Sequence, residues 1–174
     1  SCGSCRELVV NQLQMLHDAD TSPTVRLPTP TQAGRYRLGD VLGYGAMGVV
    51  FVGFDPELGR RLAVKLLRPR TTAEGRVANQ RERFLLESRN LARVVHPNVV
   101  AIHDVGNEGD QIFIAMELVE GGTLRDWLRS EARSLAETLA LGIAIGQGLA
   151  AVHKAGLIHR DFKPENVLLG ADGR

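Results

Sequence analysis

His159-Arg160-Asp161-Phe162-Lys163-Pro164-Glu165-Asn166 is the stretch on which the reading of this chain turns. Lys163-Pro164 opposes a helix here, because proline has no N–H and pushes the residue before it out of helical conformation. Asp161, Lys163 and Asn166 bring a base, a cation and a metal-binding amide into one short loop. The apolar run Val167-Leu168-Leu169 follows as a strand that would anchor it. A lone His-Arg-Asp is common in unrelated sequences, whereas the full run H-R-D-x-K-P-x-N is specific.

Upstream of the loop the apolar spacing predicts a long helix from Leu135 to Ala155 and a short one over Leu124–Ser130, entered through Glu120-Gly121-Gly122-Thr123. Before these come two short strands, Val99 to Val105 and Gln111 to Met116, split by the turn Gly106-Asn107-Glu108-Gly109-Asp110. Residues 78–95 carry a helical period through Phe84, Leu91 and Val95. From Tyr36 to Leu67 the pattern is β, with Val49-Val50-Phe51-Val52 and Arg61 to Leu67 flanking the turn Asp55-Pro56-Glu57-Leu58-Gly59. There is no internal repeat.

Leu42-Gly43-Tyr44-Gly45-Ala46-Met47-Gly48-Val49-Val50 contains G-x-G-x-x-G. Glycines let backbone N–H groups approach phosphate oxygens closely. In a dinucleotide-binding unit the third glycine opens a helix; here it opens a strand. The loop is therefore the tip of an antiparallel hairpin folded over something, or a hairpin without a ligand. Further on, strand alternation puts Ala63, Lys65 and Leu67 on one face. An ammonium inside so apolar a strand needs a partner. At about 100° per residue, Glu87 falls about 60° from Phe84, beside the apolar stripe of its helix. An ion pair between Lys65 and Glu87 follows as an expectation, with Glu82 as the alternative acid.

Composition narrows the remaining choices. The 174 residues carry 21 Lys+Arg against 20 Asp+Glu, a net charge of +1, with 44% hydrophobic and 24% charged residues, as in ordinary globular proteins. A balance so near zero gives no electrostatic footprint for nucleic acid or an anionic membrane. No apolar run of the roughly 18 residues needed to span a bilayer is present; the nearest, Leu139 to Val152, is interrupted by Gln147 and three glycines. Only three lysines occur, Lys65, Lys154 and Lys163, so each is informative in a chain that otherwise uses arginine. Residues 21–34, with three prolines and five Thr or Ser, read as a linker. Cys2 and Cys5 form a C-x-x-C without a second pair, so two ordinary thiols are expected rather than a zinc ribbon.

Taken in order, G-Y-G-A-M-G-V-V-F, A-V-K, R-F-L-L-E, H-P-N-V-V, I-A-M-E-L-V-E-G-G-T-L and H-R-D-F-K-P-E-N-V-L-L resemble a eukaryotic-type (Hanks-type) protein kinase, in the form found in bacterial Ser/Thr kinases. The resemblance runs from about Arg35 to the last residue. It implies an α+β, two-lobed kinase-like fold: an antiparallel five-stranded N-lobe with one helix, then the first part of a mainly helical C-lobe. The implied division is leader and linker 1–34, N-lobe 35–117, hinge 118–123 and partial C-lobe 124–174. The implied reaction is transfer of the ATP γ-phosphate to Ser or Thr of protein substrates, with Mg2+ as cofactor, in the cytoplasm and without nucleic acid or a membrane segment in this chain.

By the same resemblance Gly43, Gly45 and Gly48 cover the phosphates, and Lys65, paired with Glu87, contacts the α- and β-phosphates. Leu42, Val50, Ala63 and Leu168 sandwich the adenine, Met116 stands behind it, and the backbone of Glu117 and Val119 bonds its edge. Asp161 accepts the proton of the substrate hydroxyl, Lys163 neutralises the transferring phosphoryl group, and Asn166 ligates Mg2+. Phe162 replaces the usual Leu, and Thr123 stands where many kinases carry a ribose-binding acid. The D-F-G motif, whose Asp also holds Mg2+, lies beyond the residues given, so little or no activity and marginal stability are expected of the 174-residue chain alone. The competing expectations are a nucleotide-binding pseudokinase or scaffold without turnover, and a small-molecule phosphotransferase of similar fold.

Overall fold

The computed structural model describes residues 30–45, 48–67, 85–86, 88–109, 111–159 and 162–174. Six antiparallel strands form the first layer: β1 (Gln32–Ala33), β2 (Tyr36–Gly45), β3 (Gly48–Asp55), β4 (Arg60–Leu67), β5 (Ile102–Glu108) and β6 (Gln111–Met116), in the order β1-β2-β3-β4-β6-β5. A small ladder pairs β7 (Gly121–Thr123) with β8 (Leu168–Gly170). Two helices, α1 (Leu124–Ser130) and α2 (Leu135–Lys154), and a 3-10 turn at Pro164–Asn166 lie between them in sequence. Residues 88–91 are helical; the expected helix before residue 85 lies outside the described residues.

Register sorts the sheet into two faces. Phe51 stands opposite Val64, Val64 opposite Ala115, and Leu66 opposite Phe113. These side chains, with Leu62, Tyr36 and Ala33, make the main apolar core. The alternate residues Val50, Ala63 and Lys65 belong to the other face, where Val50 stands opposite Lys65 and Ala63 opposite Met116. Both faces of β4 are buried, which is why its sequence reads as an almost continuous apolar run.

Two differences from the sequence reading have local causes. The sheet has a sixth strand, the two-residue β1, inside the segment read as linker. Gly34 turns the chain at φ 56°, Ala33 is only 2% exposed, and the Gly34 N–H donates to Glu108 Oε2 at 2.8 Å. The Phe113 ring packs so closely that a Cβ on Gly34 would lie 2.7 Å from it and one on Gly106 2.4 Å. The second difference is β5, which runs on to Glu108 because Gly106, Asn107 and Glu108 stay paired with Phe113, Ile112 and Gln111. The turn itself is left to Gly109, at φ 56°.

Both helices begin at capping boxes. Thr123 and Asp126 cap α1, and Ser134 and Glu137 cap α2. The twenty residues of α2 are long and apolar enough, by length and composition alone, to cross a membrane. Its Gly148 and Val152 are nevertheless buried. Asn98 Nδ2 donates to the Ala144 carbonyl at 2.8 Å, and a Cβ at Gly148 would lie 2.4 Å from the Asn98 carbonyl oxygen. The helix is thus pinned to the segment that leads into β5.

Candidate active site

β4 supplies the centre of the site. Lys65 is wholly buried, between Val50 of β3 and Ile114 of β6. Burial pushes its ammonium down to about 7. Beside it on the same face, Val50 and Ala63 form an apolar cluster with Met116 and Leu118. A flat apolar ring placed against that cluster would bring a charged substituent on it next to Lys65. Glu87, the expected partner of Lys65, lies outside the described residues, as do Arg160, Asp161, Ala46, Met47 and the two cysteines.

The glycine loop is the tip of the β2–β3 hairpin, with Gly43 opposite Val50, Tyr44 opposite Val49 and Gly45 opposite Gly48. Leu42 and Tyr44 are exposed on β2. Gly48 has a reason to be glycine that is independent of phosphate. A Cβ there would lie 1.9 Å from the Leu66 carbonyl oxygen, inside the backbone of β4.

From Met116 the chain runs into the connection 117–120. The Glu117 N–H donates to the Ala101 carbonyl at 2.8 Å, and its carboxylate accepts from Arg174 Nη2 at 2.6 Å. The Glu117 carbonyl and the Val119 N–H have no hydrogen-bond partner among the described residues. They are the edge that a heterocycle seated on Val50, Ala63 and Met116 would meet.

The loop that opened the sequence reading is built on Pro164–Asn166. Lys163 is the N-cap of this 3-10 turn, with proline in its first position, and the Asn166 N–H donates back to the Lys163 carbonyl at 2.9 Å. Glu165 and Asn166 are buried, and Glu165 pairs with Arg125 of α1. Leu168 then enters β8 opposite Thr123. Glu117, Val119, Asn166 and Leu168 line one cavity of about 130 Å³ under the connection, floored by Ile145 and Leu149 of α2. The connection and the loop meet there.

Three features escaped the sequence reading. Leu118 joins the apolar cluster although the resemblance pointed only to its neighbours Glu117 and Val119. Thr123, noted as a departure at a ribose contact, spends its hydroxyl on the capping box, donating to Asp126 Oδ2 at 2.6 Å; the spacing Thr123-x-x-Asp126 carried that signal. The Arg125–Glu165 pair had no sequence signature.

An antiparallel sheet with a buried lysine, followed by capped helices and a motif loop, is the arrangement expected of a protein kinase domain. The protein kinase domain model matches residues 36–174, and the chain belongs to that family. It is similar to serine/threonine-protein kinase pkn2 of Myxococcus xanthus, 43% identical over 141 residues, covering 81% of this chain and 17% of that protein. It also resembles PknA of Mycobacterium tuberculosis, 38% identical over 150 residues, covering 83% of this chain and 34% of that protein. The crystal structure of the Mycobacterium tuberculosis PknI kinase domain superposes with a TM-score of 0.71 at 30% identity, covering 83% of this chain and 60% of that one. The chain thus spans 17% and 34% of these two curated relatives.

Proposed function

We propose that this chain is part of the catalytic domain of a serine/threonine protein kinase that transfers the γ-phosphoryl group of ATP to hydroxyls of protein substrates. The observation that carries the reading is the burial of Lys65 on the same strand face as Val50, Ala63 and Met116. A fully buried ammonium is costly without negative charge, and the phosphates of a nucleotide whose base rests on the apolar cluster would supply it. That the relatives are serine/threonine-protein kinases supports protein Ser/Thr as acceptor.

In this reading Val50, Ala63, Leu42 and Leu168 hold the adenine, Met116 limits its depth, and Glu117 and Val119 bond its edge. Gly43, Gly45 and Gly48 lay backbone N–H groups over the phosphates. Lys65, oriented by Glu87, binds the α- and β-phosphates. The substrate hydroxyl oxygen attacks the γ-phosphorus, the bond to the departing ADP oxygen breaks, and the hydroxyl proton passes to Asp161. Lys163 neutralises charge on the phosphoryl group in flight. Protein kinases use Mg2+, which neutralises phosphate charge when bound. The donors fit such an ion only as a shared site: Asn166 offers one hard amide oxygen, and no cluster of three acidic, His or Cys side chains is present among the described residues. Phosphate oxygens would complete the shell, as is usual for Mg2+. Turnover is favoured over binding alone because Lys65, Asp161, Lys163 and Asn166 are all present. A cytoplasmic catalytic domain, with no role for nucleic acid, is part of the same proposal.

The test is phosphate transfer from labelled ATP to a protein acceptor by the full-length protein and by Lys65→Met and Asp161→Asn. Each substitution should lower kcat/KM by about 100-fold or more. Unchanged activity in either variant would contradict the assignment.

A further inference from the structure

Arg125 has no part in the roles assigned above, yet it reaches into the loop that carries them. It lies in the first turn of α1, and its guanidinium forms an ion pair with the Glu165 carboxylate. The Glu165 side chain is only 9% exposed, that of Arg125 39%. A carboxylate at that depth is strongly unfavourable without a cation beside it. Glu165 is the middle residue of the 3-10 turn, flanked by Asn166 and, two residues back, by Lys163.

Backbone pairing between these two segments lies on the far side of that turn. The Leu124 N–H donates to the Val167 carbonyl at 2.8 Å, and Thr123 pairs with Leu168 in the β7–β8 ladder. The ladder is close-packed: a Cβ on Gly121 would lie 1.9 Å from the Leu169 carbonyl oxygen. These bonds fix residues 167 and 168, just after the turn. The ion pair is the second pin. Its base is itself rigid, because the Thr123–Asp126 capping box fixes the start of α1. A planar guanidinium fork also sets direction as well as distance, which an ammonium does not.

We infer that Arg125 is a positioning residue for phosphoryl transfer: by clamping Glu165 to α1 it holds Asn166 and Lys163 at the angle that the metal-bound phosphates require. This rests on the kinase reading above. Small misplacements of such groups are enough to cost about 100-fold in rate, and loss of groups that orient metal ligands lowers metal affinity by about 10- to 100-fold.

The experiment uses the full-length protein and its Arg125→Ala, Arg125→Lys and Glu165→Gln variants. The readouts are kcat per nucleotide-binding molecule, KM for ATP and the Mg2+ concentration giving half-maximal rate. Arg125→Ala should lower kcat about tenfold or more and raise the half-saturating Mg2+ about tenfold, while ATP affinity without metal stays within about twofold. Arg125→Lys, which keeps the charge, should recover part of both losses. Glu165→Gln leaves no buried charge behind, so it remains testable if Arg125→Ala fails to fold, and it should shift the Mg2+ dependence in the same direction. A purely structural role would reduce the fraction of binding-competent molecules and leave kcat per molecule and Mg2+ dependence at wild-type values, which would overturn the inference. An inactive wild-type protein would instead overturn the kinase reading itself.

Discussion

Lys65 sets the pH behaviour of the folded chain. Its pKa is about 7 in the folded state against 10.5 for the exposed side chain. Between those values the unfolded chain holds a proton that the folded chain lacks, so stability rises with pH. Below about 7 both states are protonated and the full penalty of burying the charge is present. Denaturant midpoints of the nucleotide-free protein should therefore increase from about pH 7 to about pH 10, and Lys65→Met should remove that slope. A profile that is flat in the wild type, or unchanged in the variant, would show that the amine keeps its proton. Gly48 gives a second prediction at this scale. Gly48→Ala forces a Cβ into the Leu66 carbonyl and should destabilise by about 1–3 kcal/mol in urea titrations, with or without nucleotide. An effect seen only on ATP affinity would assign that glycine to the phosphates alone.

Among the elements, α1 is tied to the motif loop, since its capping residue Thr123 also pairs with Leu168. Thr123→Ala should lower stability by about 0.5–2 kcal/mol, and, because its hydroxyl is committed to Asp126, ATP affinity should change little. A selective loss of nucleotide binding would restore the ribose role to this position. Most elements were legible. The β2–β3–β4 meander followed from β-branched runs around Asp55–Gly59, α2 from its apolar period, and the loop at Lys163-Pro164, which forms no α-helix, from proline chemistry. β1 was not, because two residues are too few to show alternation and its stability comes from Gly34, Ala33 and Tyr36 packing on Phe113, a contact distant in sequence. The Arg125–Glu165 pair was hidden for the same reason: neither side chain reveals its burial until the loop is folded. Of the site, strand alternation set Lys65 apart and the motif singled out Asn166, whereas Leu118 emerged only from packing.

At the scale of the whole molecule, the account requires the sheet and the loop of residues 162–170 to face one nucleotide. The sheet carries Lys65 and the loop carries Lys163, and the connection 117–120 meets the loop at a cavity lined by Glu117, Val119, Asn166 and Leu168. The scarcity of lysine makes this directly measurable, because within these 174 residues only Lys65, Lys154 and Lys163 carry side-chain amines. Lys154, exposed at the end of α2, is an internal control. Labelling of the full-length protein with an acyl-phosphate derivative of ATP, which delivers the amine reagent from the nucleotide site, read residue by residue by mass spectrometry across a titration of competing ATP with Mg2+, should show Lys65 and Lys163 labelled and then protected with the same half-saturation while Lys154 stays unlabelled. Protection of Lys65 without Lys163, or of neither at saturating nucleotide, would contradict a shared site.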